Sequence, residues 1–231
     1  MKFYTHFTET IKLVDLVRTN YRLLDVLPRF GVGLGFQERT IKQICEEKKI
    51  SPAVFLLVCN VYTFDDYSPD EQVFNDIFAT ELLAFLSASH RDYLRMQAGI
   101  FAKVVELSEI SSDLYRKVMV DLGTRYQQLL QDHIDYEEQV EFPYIRELIN
   151  TKSPQDVCRP QIEDQDRELH VFFYDFQSLI LKYLTDDSMA TSRLYRDVLV
   201  SIAMFKMDTD KHILLKDIFM TAMERMTNLR L

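Results

Sequence analysis

The chain has little of what interrupts a helix. Only 5 glycines and 6 prolines occur in 231 residues, and few stretches alternate β-branched with polar residues, so an almost wholly helical, all-α protein is expected. No apolar run approaches the ~20 residues that span a bilayer, and no membrane association is expected. The three cysteines, Cys45, Cys59 and Cys158, are widely spaced and form no Cys-x-x-Cys, which fits reduced buried thiols better than a disulfide framework or a zinc site. Basic clusters are missing as well. With a net charge of −9, the chain is not expected to bind nucleic acid, whose counterion release needs a basic surface. The opening Met1-Lys2-Phe3-Tyr4-Thr5-His6 leads into a charged amphipathic stretch without the apolar core of a signal peptide, and the expected location is the cytoplasm.

What is present is hydrophobic mass in helical register. At 47% hydrophobic content the chain can bury one good-sized core and a smaller satellite. Residues 1–64 read as a small helical domain: a helix over 10–26 with apolar Ile11, Val14, Leu16, Val17, Tyr21 and Leu24, a second over 38–47, and a third opened by Ser51 as N-cap with Pro52 in the first turn. Gly31, Gly33 and Gly35 lack the preceding strand and following Lys-Ser/Thr of a phosphate loop and fit a turn between helices. An acidic linker follows at 65–74. Beyond it, four long periodic segments, 75–109, 113–150, 161–184 and 192–228, predict an up-down-up-down four-helix bundle over 75–231.

Polar residues stand on the inward stripes of these helices. His133 and Glu137 share the apolar face of Leu122, Tyr126, Leu129, Val140 and Tyr144, and four residues advance a helix by about 400°, so both project from one side. A buried imidazole or carboxylate is costly unless paired or bound to a metal. His90 lies with Leu83, Leu86, Leu94, Gln97 and Phe101; His212 lies with Ile202, Phe205, Leu215 and Phe219; His170 opens the apolar part of the third helix. Four of the five histidines therefore fall one per bundle helix, and His90, His133, Glu137, His170 and His212 are the candidate metal ligands. His6 reads as a surface residue.

The stretch His133-Ile134-Asp135-Tyr136-Glu137-Glu138-Gln139-Val140-Glu141-Phe142-Pro143 resembles the H-x-x-x-E-E-x-x-x-F-P motif of the hemerythrin-like (HHE cation-binding) di-iron proteins, and among them the repair-of-iron-centres proteins of nitric oxide stress. His90 and His212 match that family's first-helix and fourth-helix histidines, and the small N-terminal unit is similar to the domain preceding its bundle. The resemblance implies iron between four helices, a role in iron–sulfur cluster repair under nitrosative or oxidative stress, and iron–sulfur protein clients or a diatomic gas (NO or O2) as partners. A homodimer is also compatible with it.

The departures matter as much. Where the family's fourth-helix carboxylate should follow His212 by four residues stands Lys216, then Asp217; Asp208 is the one nearby carboxylate to compensate. The third-helix position falls at Gln165, or at His170 if the helix is shifted by a turn. Gly35-Phe36 stand where the family carries a Cys-Cys pair, and Cys45 lies too far along to replace it. The expectation is iron bound at one position, or weakly at two, with Lys216 paired to Glu137 or Glu138. The competing expectation is a non-enzymatic regulatory or interaction protein whose bundle holds a metal-free His/Glu/Lys network.

Overall fold

The computed structural model of the protein describes residues 6–69, 76–109, 113–150, 165–183 and 193–229. Among them no strand occurs, only an isolated antiparallel bridge between Lys12 and Thr40, and the fold is all-α. The chain divides into two compact units: Met1–Ser89 with Ile145–Val157 and Leu214–Leu231, and His90–Tyr144 with Cys158–Ile213.

In the first unit, α1 (Leu13–Thr19) and α2 (Leu23–Val26) replace the single helix expected over 10–26. Asn20 makes the break. Its side-chain amide donates to the Tyr62 carbonyl at 3.0 Å, and its side-chain oxygen accepts from the Arg22 backbone N–H at 3.0 Å, so a short polar side chain competes with helical pairing. The restart turns Tyr21 outward, 68% exposed, while Leu13, Leu16, Leu23 and Val26 fill the core. A short 3-10 helix (Leu27–Phe30) ends at Gly31, whose φ of +69° needs glycine. α3 (Ile41–Lys48) begins with a capping box between Thr40 and Gln43. α4 (Pro52–Thr63) starts after Ser51 with Pro52 in its first turn, as expected; Ser51 supplies no side-chain cap and instead donates its backbone N–H to Glu81 at 2.7 Å. Cys45 and Cys59 are buried free thiols, and burial pushes Cys45 up to about 12. Cys158 lies outside the described residues, as do the breaks at 111–112, 151–154 and 185–188 and part of the linker.

The second unit takes α5 (Asp76–Glu109) from His90 onward, α6 (Asp113–Tyr136), α8 (Gln165–Tyr183), and α9 (Arg193–Leu229) as far as Ile213; α7 (Phe142–Asn150), which follows α6 in the chain, belongs to it only through Tyr144. Four helices supply one hydrophobic core: Tyr93, Ile100 and Val104; Met119, Tyr126 and Leu130; Leu169, Phe172 and Phe173; Val198, Ile202 and Phe205. Each such side chain contributes roughly 1.5–3 kcal/mol on burial. Close approach of α5 and α6 is set at Gly123, where a Cβ would lie 2.8 Å from the Phe101 ring. Among the described residues no helix is long and apolar enough to cross a membrane.

Between α6 and α7 the chain takes one π turn, Glu137–Glu141, with the Phe142 N–H bonded to the Glu137 carbonyl five residues back. Pro143 explains it. Proline has no N–H to give the carbonyl four residues earlier, and its ring crowds that carbonyl; widening the turn relieves both, and such bulges gather at functional sites.

Candidate metal centre

The π turn carries a buried carboxylate into a ring of imidazoles. Glu137 is 0% exposed, and His90, His133 and His212 are 3%, 4% and 1% exposed. Glu137 Oε2 lies 2.7 Å from His90 Nε2 and 3.0 Å from His212 Nε2, and its Oε1 lies 3.2 Å from His133 Nε2. α5, α6 and α9 each supply one histidine. The ligand atoms of His90, Glu137 and His212 lie within 4.8 Å of one another, and the three could hold a metal ion.

The protonation pattern supports that capacity. His90 faces carboxylates on both sides, with Nδ1 2.8 Å from Glu138 Oε1 as well as Nε2 against Glu137. A carboxylate only accepts, and a neutral imidazole has a single N–H, so one of the two contacts needs a further proton or a cation. The contact at Nε2 is the one a cation could take, since the ligand atoms of His90, Glu137 and His212 lie within 4.8 Å of one another. Burial pushes the His212 imidazole down to about 4, against the opposing pull of Glu137, so at neutral pH it is an uncharged ring, the form that ligates metal. Its Nδ1 is buried without a hydrogen-bond partner among the described residues.

Two aromatic groups frame the histidines. Phe142 stacks on His90, centroids 5.4 Å apart and 6° between planes. Tyr93 presents an edge to His212 at 5.4 Å and donates to Asp208 Oδ1 at 3.3 Å.

The structure thus brings together His90, His133, Glu137 and His212 of the expected ligands. His170 and Gln165 both lie in α8, their side chains outside the described ones. Asp208 is buried beside Tyr93 and stands outside the His90–Glu137–His212 group. Lys216 is buried in the other compact unit. Three features escaped the periodicity: Glu138 against His90, buried Glu141, and Tyr93. Leu94, placed on the inner stripe, is 37% exposed, whereas Tyr93 is 1% exposed; a one-residue phase error of about 100° accounts for it. The signal for Tyr93 was its position three residues past His90.

No family model, curated protein or solved structure matches the chain.

Proposed function

We propose that the protein is a hemerythrin-like metalloprotein that binds iron at a single buried position and serves iron-centre repair under nitric oxide and oxidative stress. The observation that carries the reading is the convergence of three buried imidazole nitrogens from three helices on one buried carboxylate. A histidine-and-carboxylate donor set with imidazole in the majority suits iron, zinc or copper over magnesium or calcium, and the motif resemblance selects iron. A bound iron would supply Lewis acidity and a position for a diatomic ligand such as NO or O2. Around it the chain's own residues exclude water and fix the donors: Phe142 holds the plane of His90, and Glu137 sits between the rings. Fe2+ reconstitution without oxygen, followed by elemental analysis and a visible spectrum before and after NO, tests this; about one iron per chain with a spectral change on NO is the expected result.

One observation favours a second reading. Glu137 Oε2 already has hydrogen-bonding neighbours in His90 and His212, and His133 Nε2 lies at ion-pair distance from Oε1, so the network can stand as a metal-free polar core of a regulatory or interaction protein. No iron retained after reconstitution and desalting would select it.

A further inference from the structure

We infer that Glu138 is a positioning residue that decides which nitrogen of His90 faces the metal. The inference rests on the metal-binding reading above and concerns the one member of the cluster that reaches solvent. The Glu138 side chain is 34% exposed, whereas those of His90 and Glu137 are 3% and 0% exposed. Its Oε1 is 2.8 Å from His90 Nδ1. As an acceptor it stabilises the tautomer with the proton on Nδ1, and that tautomer leaves the Nε2 lone pair toward Glu137.

The π turn makes this double grip available. In an α-helix, residues five apart diverge by about 140°, which would turn Phe142 away from the side of Glu137. The wider turn brings residues five apart nearer one side, so Glu137 and Glu138 hold the two nitrogens of His90 while Phe142 covers its face. His90 is then fixed in tautomer, plane and rotation together.

His212 offers the contrast. Its Nδ1 is buried without an acceptor among the described residues, so binding metal through Nε2 places an N–H where no described residue receives it, an unfavourable arrangement. The two rings share Glu137 Oε2, yet only His90 has a carboxylate behind it. His90 is the ligand set in advance, and Glu138 sets it.

The test compares Glu138→Ala and Glu138→Gln with wild type in the full chain. In metal-free protein, 15N NMR of the His90 ring reads the tautomer; Fe2+ titrated without oxygen reads affinity. The expected result is a protonated Nδ1 in wild type and in Glu138→Gln, whose amide oxygen still accepts, and an unprotonated Nδ1 in Glu138→Ala. Fe2+ affinity then falls about 10- to 100-fold in Glu138→Ala, the range for losing an outer-shell partner of a ligating histidine, and less in Glu138→Gln. Unchanged His90 shifts and unchanged affinity in Glu138→Ala overturn the inference. So does an affinity loss with the tautomer unmoved, which would make Glu138 a ligand or a general electrostatic contributor. A wild type that takes up no Fe2+ overturns the metal reading instead, and the tautomer measured without metal keeps the two failures apart.

Discussion

His212 Nε2 lies 3.0 Å from Glu137 Oε2 in a site with no exposed atom of either carboxylate or ring to speak of, 0% and 1% by side chain. Burial outweighs the carboxylate and holds the imidazole at about 4, below its ordinary 6.5. The unfolded chain therefore binds the proton more readily than the folded one between those values. Stability of the metal-free protein is full above about pH 6.5, declines as pH falls, and levels off below about pH 4. The loss from this group is on the order of 3 kcal/mol. Urea unfolding across that range checks it, and His212→Gln should flatten the slope. An identical slope in that variant would assign the pH dependence to other groups.

Glu137 is the shared partner of the three histidines, so Glu137→Gln removes the charge with little change of shape. Retained Fe2+ should fall by more than about 100-fold in affinity, beyond the range of outer-shell changes, with helix content by circular dichroism unchanged. Fe2+ binding equal to wild type would place the metal elsewhere.

The Tyr93 hydroxyl donates to Asp208 Oδ1 at 3.3 Å from a ring that packs on His212 and Phe205. Tyr93→Phe keeps the ring and should cost about 1 kcal/mol, a Tm decrease of about 2–4 °C in a chain of this size. Metal stoichiometry should not change. A loss of iron in Tyr93→Phe would show that Asp208 or the hydroxyl belongs to the donor set.

Lys216 follows His212 by four residues on α9 and is buried. The hemerythrin-like motif that the sequence resembles has a carboxylate at that position; if Lys216 stands in its place, Lys216→Glu removes a cation and adds an oxygen donor, and both changes favour metal. Iron content after the same reconstitution should rise. Equal content in the two proteins would mean that this position has no bearing on the centre.

Much of the helical layout was legible from periodicity. The expected segments 75–109, 113–150, 161–184 and 192–228 correspond to α5, to α6 with α7, to α8 and to α9, because long apolar stripes broken by Ser, Asp and Pro leave few other ways to pair backbone groups. The phase within a stripe was less legible. Leu129 was placed inward, yet Leu130 is the fully buried residue and Leu129 packs at the edge; the apolar arc of a helix is wide enough to hold both. The helix over 10–26 failed at Asn20, since one side chain bonding to Tyr62 across 42 positions leaves no local periodic trace. Of the site, His90, His133, Glu137 and His212 were readable because polar residues on an apolar stripe are costly without partners. The grip on His90 by Glu138 and Phe142 was not: it depends on the π turn, although Pro143, which accounts for that turn, was in plain view.

The most direct measurement is the iron content of the 231-residue chain reconstituted with Fe2+ without oxygen, desalted, and compared with His90→Ala and Glu137→Gln treated in parallel. The account predicts about one iron per wild-type chain and little in either variant, with all three proteins equally helical. Wild type emerging free of iron, or both variants retaining as much as wild type, would contradict it.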